Sequence, residues 1–213
     1  YETHESMAGS WTVDTLASGD HAAPRWFELR RSGGAWSMYQ QGTHAPDSAH
    51  RWGPSIAMDA IGGIAIGYSV VDAPNTVYPS IRYATRSPGD TLGTLQAEQS
   101  LIAGGGAQTS SFARWGDYSS MSVDPVDDCT FWFTTEYIGT SGGFAWRTRV
   151  AAFAFPECLA HYEIFADGFE SGDVSAWGQG TELPTGTVMF FESATCPQGW
   201  ARLGSHPRYL VGL

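Results

Sequence analysis

Short runs in which apolar and polar residues alternate, or in which aromatic and β-branched residues follow one another, make up most of this chain. Clusters of Gly, Pro, Asp and Ser separate them, and no stretch keeps a helical period. The class this predicts is all-β. Strands are expected over 25–31, 36–41, 55–58, 64–70, 80–85, 99–102, 119–123, 130–137 and 146–155. Runs such as IAIGYSVV (64–71) and TFWFTTEY (130–137) are apolar on both faces, the pattern of strands covered on either side.

The pattern also repeats. RWGPSIAMDAIGGIAIGYSVV begins at Arg51, and RWGDYSSMSVDPVDDCTFWFTTEY begins at Arg114. Arg51-Trp52-Gly53 matches Arg114-Trp115-Gly116, and after a two-residue insertion SIAMDA (55–60) matches SMSVDP (120–125). The period is about 65 residues, and self-similarity at a fixed long period points to repeat architecture. Four strands per repeat with both faces covered predict the radial blades of a β-propeller. Residues 1–158 are then an incomplete propeller of about two and a half four-stranded blades: the outer strands of one, a whole blade over about 51–103, and most of a third over 114–156. A ring closes with roughly four to eight blades. The rest is therefore expected upstream of Tyr1 or in another subunit. Residues 159–183 read as an acidic, Gly-rich linker, and 184–213 as a small irregular tail.

Composition narrows the function. Hydrophobic residues make up 42% of the 213, enough for a core, and no apolar run has the length of a membrane span. A formal net charge of −11 disfavours a partner made of nucleic-acid phosphates. All eleven basic residues are Arg, which removes a P-loop lysine and a Schiff-base lysine. AGGGAQTSS (103–111) is accordingly read as a loop. Neither an initiator Met nor a signal peptide stands at Tyr1, which reads as a fragment or a processed piece. Cys129 opens one expected strand and Cys158 closes the next, which places them across a hairpin. We expect a disulfide in an oxidising compartment, with two buried thiols as the alternative. Cys196 has no evident partner.

The stretches HRWGPSIAMDAIGGIAIGYS, VYPSIRYATR and RWGDYSSMSVDPVDDCTFWFTTEY, with HES at His4 and RWFELRR at Arg25, resemble the C-terminal blades of large secreted bacterial propeller proteins. Those are grouped loosely with the sialidase-like superfamily, and the likeness spans about residues 4–158. It implies a protein that is secreted or at the cell surface, without fixing an activity. FADGFESGDVSAW (165–177) resembles a short segment near the termini of many secreted bacterial proteins. GTVMFFESATCPQGWARL (186–203) with RYLVGL (208–213) resembles the start of the tail-collar domain of phage tail fibres, which implies an exposed or trimeric tip.

Candidate chemistry gathers in the repeated cluster. Arg51, Trp52, Arg114, Trp115, Asp117 and Tyr118 are expected in loops on the ligand-binding face, where arginines fork onto carboxylates and aromatic rings stack on sugars. The competing reading packs each Trp between blades and pairs each Arg with a carboxylate such as Asp59 or Asp124, and for the repeated Trp residues it is preferred. Asp117 and Tyr118 occur in the second copy alone and are the better candidates for a ligand. A glycan or a protein is the expected partner. A sialidase would need a Tyr nucleophile, a Glu, an acid Asp and three Arg. Glu136, Tyr137, Arg114, Arg147 and Arg149 supply residue types but no motif, and adjacent strand residues point to opposite faces. No catalytic residue is expected within this chain and no cofactor; the alternative reading is part of a sialidase-type glycosidase whose catalytic residues lie mostly upstream. Asp124, Asp127 and Asp128 form a weak Ca²⁺ candidate, since Asp and Pro more often simply make the turn. Asp167, Glu170 and Asp173 form another.

Overall fold

A computed structural model describes residues 4–73, 76–111 and 115–160, with the backbone of three short strands further on. The chain divides into two units, Tyr1–Leu159 and Ala160–Leu213. The first is all-β and built from three antiparallel meanders. Strands β1 (Glu5–Asp14), β2 (Ala22–Arg31) and β3 (Ser37–Thr43) form the first sheet. The second, in the order of the chain, is β4 (His50–Met58), β5 (Ile64–Asp72), β6 (Val77–Arg86) and β7 (Gln99–Ile102). The third comprises β8 (Ser120–Val123), β9 (Phe131–Ile138) and β10 (Trp146–Phe153). In the second unit β11 (Val188–Met189), β12 (Trp200–Arg202) and β13 (Leu210–Gly212) pair in the order β11-β13-β12. A small sheet thus stands within the segment expected to be irregular. Residues 161–187, including most of the expected linker and its acidic triplet, lie outside the described residues, as does Cys196.

The second sheet lies between the other two, and the alternation of β5 explains how. Its successive side chains face opposite ways. Ile64, Ile66 and Tyr68 pack with Trp26 of β2 on one face. Ala65 joins Ile81, Met121, Phe131 and Phe133 on the other. Gly67 is small for a packing reason: a Cβ there would stand 2.5 Å from the Phe133 ring. Both faces of IAIGYSVV are therefore covered, as its composition predicts. For TFWFTTEY the expectation holds on one face only. Phe131 and Phe133 are buried, whereas Trp132 on the opposite face is exposed and donates its indole N–H to Asp124 Oδ2 at 3.0 Å. No described sheet covers that side.

The disulfide is present. Cys129 and Cys158 are joined, with Cα atoms 5.6 Å apart. It fastens the segment after β10 to the turn before β9.

Contacts between sheets fix the chain directions. His21 Nε2 lies 3.3 Å from Ala49 O, and Ala22 N donates to His50 Nδ1 at 3.4 Å, so the starts of β2 and β4 meet. Further along β2, Trp26 belongs to the cluster against which Ile56 and Met58, at the far end of β4, pack. Hence β2 runs with β4, and β1 against it. By direction the first sheet corresponds to β5, β6 and β7 of the second.

Strand β1 was not expected from ESMAGSWTVD. Its Gly9 is opposite Phe27, whose ring fills the space a Cβ would take. The strand is specified by that cross-strand partner more than by its own composition.

Candidate functional site

The repeated Arg-Trp-Gly segments come together at the seam between the second and third sheets. Gly53 and Gly116 both adopt positive φ, 58° and 85°. Such backbone favours glycine, and at Gly53 it accompanies a register break between Trp52 and Ser55. The bulge turns Trp52 toward Trp115, and the two indoles meet edge to face with centroids 4.9 Å apart. Ser119 Oγ donates to Gly53 O at 2.6 Å, and Met121 N donates to Ser55 Oγ at 2.8 Å. Both contacts span 66 residues, so β4 and the approach to β8 run side by side in the same direction. On the other flank Gly53 N donates to Thr12 Oγ1 at 3.2 Å, linking β1 to the seam.

Not every member of the cluster is where the sequence put it. Arg51 and Trp52 belong to β4 rather than to a loop. Arg114 lies outside the described residues. Trp115 is half-buried against Trp52, and Gly116 N donates to Glu136 Oε2 at 2.8 Å. Asp117 and Tyr118 are both exposed, Tyr118 by 86%. Tyr118 thus presents its phenol to solvent three residues after Trp115. Glu136 and Tyr137 do diverge: Tyr137 packs into the core between the second and third sheets while Glu136 serves the seam.

The acidic turn uses its oxygens locally. Asp127 Oδ1 accepts from Cys129 N and Thr130 N at 2.9 and 2.8 Å, and its Oδ2 accepts from Thr130 Oγ1 at 2.6 Å. These bonds hold its carboxyl below the ordinary range. Asp124 takes Val126 N as well as the Trp132 indole. Asp128 stands at φ 49°, where Asp is tolerated. Among the described residues no group of three or more His, Cys, Asp or Glu is placed to hold a metal ion.

Arg51 has a different setting from the one foreseen. Its side chain is 0% exposed and is gripped by Glu98 and Asp47, not by Asp59 or Asp124. Asp59 instead accepts from Ile61 N and Gly63 N of its own turn. Glu98, outside every motif of the sequence, is the hub of a cluster on the second sheet. Its Oε1 accepts from Arg51 Nη2 at 2.8 Å and Arg82 Nη1 at 2.5 Å. Its Oε2 accepts from Arg51 Nε at 2.9 Å and Tyr68 Oη at 2.8 Å. His44 Nε2, at 3.8 Å, is beyond hydrogen-bond reach. Burial alone would raise the Glu98 carboxyl, but the bonds from Arg51, Arg82 and Tyr68 outweigh it and hold the pKa far below the ordinary range. Burial works against the Arg51 charge too, and the bonds to Glu98 and Asp47 more than restore it. Tyr68 is pushed well above its ordinary value, by burial first and then by the Glu98 charge.

These directions decide what the cluster can do chemically. A tyrosine nucleophile needs its proton removed, yet Tyr68 is held as a donor. A general base needs a spare lone pair, yet Glu98 receives four donors from three side chains. The arrangement ties β4, β5 and β6 to the approach to β7 and offers no poised proton transfer.

Comparison with protein-family models, with curated proteins and with solved structures finds no match.

Proposed function

We propose that the chain is a non-catalytic part of a β-propeller, secreted or held at the cell surface, that binds a glycan through the seam carrying Trp115, Asp117 and Tyr118. The architecture rests on one observation: the first strands of two successive meanders run side by side in step, 66 residues apart. Neighbouring blades arrange their inner strands in that way. In this reading the first sheet is strands two to four of a blade, the second a whole blade, and the third the inner three strands of another. Roughly four to eight blades close a ring. The remainder would come from upstream of Tyr1 or from another subunit.

The ligand class follows from the groups presented. An exposed phenol offers a flat apolar surface and a hydroxyl, and the neighbouring Asp117 carries a carboxylate. Such a set suits a sugar ring, with one apolar face and a rim of hydroxyl donors. The excess of acidic residues weighs against nucleic acid. A disulfide suits an oxidising compartment. No helix among the described residues is long and apolar enough to cross a membrane.

A glycan array with the native chain, Tyr118→Ala and Asp117→Ala tests the reading. Both positions are exposed, so stability should change by no more than about 0.5 kcal/mol. Binding in the native chain that is lost in both variants is the expected result. No binding to any glycan, or binding indifferent to both substitutions, would refute it, and retention of a protein ligand would move the seam to the other partner class.

A further inference from the structure

The third sheet ends on an open edge. In the second sheet β7 pairs with the outer side of β6 and completes four strands. The third stops at β10, the counterpart of β6, and no described residue pairs with its outer side. Residues 146–150 are exposed along it. An unpaired strand edge presents a row of N–H and C=O groups to any extended chain that can meet them.

Charge marks what that chain should carry. Arg147 and Arg149, two residues apart on one strand, stand on the same face and are both exposed. Neither has an ion pair or a hydrogen bond among the described residues, whereas every other described arginine is taken up. Carboxylates hold Arg30, Arg31, Arg51 and Arg82, and neutral oxygens hold Arg25 and Arg86. A chain of net charge −11 thus leaves two guanidiniums unneutralised, side by side on an open edge. The end of the strand adds a third contact. Phe153 shares the face of the two arginines and stacks on Tyr83, with ring centroids 4.1 Å apart. With Phe155, Tyr83, Thr85 and Gln99 it lines a pocket of about 190 Å³, where roughly 150 Å³ suffices for a benzene-sized group.

We infer that the outer edge of β10 takes an acidic, extended segment of another protein as an added fourth strand. Running antiparallel, as β7 does on β6, that segment sets alternate side chains opposite Phe153, Ala151, Arg149 and Arg147, all on one face. An apolar residue then meets the pocket, and Asp or Glu four and six residues further on meets the two guanidiniums. Main-chain pairing supplies the affinity, and the alternate side chains choose the partner. A second copy of β10 is disfavoured, because the pairing would gather four guanidiniums on one edge. The site lies on a different strand from Trp115, Asp117 and Tyr118 and does not depend on the reading given to them.

The test is fluorescence anisotropy on the full chain with a labelled eight-residue peptide in which Leu, Val, Glu and Glu, in that order, alternate with Thr. A second peptide carries Lys for both Glu, and a third carries Pro for every Thr. The native chain is compared with the double variant Arg147→Glu, Arg149→Glu; both positions are exposed, so the fold is retained. The expected result is native binding to the Glu peptide at least tenfold tighter than to the Lys peptide, the opposite preference in the variant, and no binding of the Pro peptide. Net charge alone would draw the Lys peptide to both proteins, and that outcome overturns the inference. A Glu preference kept in the variant, equal binding of the Pro peptide, or absence of binding by the native chain overturns it as well.

Discussion

Replacing Glu98 by alanine should be among the most damaging single changes this chain can suffer. The substitution removes the acceptor of four hydrogen bonds and leaves Arg51, which has no exposed side-chain surface, with Asp47 Oδ1 and Ala49 O alone. Tyr68, buried as well, loses the acceptor of its 2.8 Å hydroxyl bond. Breaking a buried ion pair by deleting one member costs about 3–5 kcal/mol, because the survivor stays charged and dry. At 2–4 °C per kcal/mol for a chain of this size, Tm should fall by roughly 6–20 °C. Asp47→Ala is the internal control. It touches the same guanidinium at 2.8 Å, but Asp47 is 52% exposed, and an exposed pair is worth about 0–1 kcal/mol. The assay is thermal and urea unfolding of both variants followed by tryptophan fluorescence. A difference between them below about 1 kcal/mol would show that the cluster is not a clamp, and the account of Arg51 would fail.

Acid should expose the same cluster. The Glu98 carboxyl is depressed in the folded chain, so its contribution is complete above the ordinary Glu pKa of about 4.3 and is lost progressively as pH falls below it. The urea midpoint should therefore drop below about pH 4.5, and Glu98→Gln should flatten that dependence; a parallel pH profile would contradict it. Reduction of the Cys129–Cys158 disulfide, whose members are 29 residues apart, should cost about 3–4 kcal/mol by the loop-entropy relation, read as a lower Tm in dithiothreitol. Gly67→Ala should destabilise by about 1–3 kcal/mol, since the new Cβ would stand 2.5 Å from the Phe133 ring in a filled core. Unfolding within 0.5 kcal/mol of native would mean that Phe133 can step aside.

What was legible in the sequence was what local pattern controls. IAIGYSVV and YPSIRYATR carry their own strand preference, and β5 and β6 lie over them. The position of Cys129 and Cys158 across a hairpin follows from those same limits, and the bond is there. What stayed hidden depends on distant partners. Glu98 sits in the polar stretch LQAEQ, with nothing nearby to mark it, and reaches Arg51 across 47 residues. One signal was available: Arg82 shares with Ala84 the face of β6 that covers the apolar side of β5, and an arginine on such a face needs an acceptor. Pattern can announce that need without naming the acid that answers it. The strand β1 was missed for a related reason, as its Gly and Ser are made strand-like by Phe27 opposite. Arg51 was misplaced because a Trp-Gly pair looks like a loop when the strand containing it is bulged.

The three sheets are stitched along their inner seam by hydroxyls. Thr12, Ser55 and Ser119 each make one bond to the neighbouring backbone, where a continuous ladder would have made many. Each such bond contributes about 0.5–1.5 kcal/mol. A meander can therefore be gained or lost by tandem duplication without tearing a hydrogen-bonded sheet, because every ladder begins and ends inside one module. Unequal crossing-over between copies would shift the number of modules while leaving each module's pairing whole.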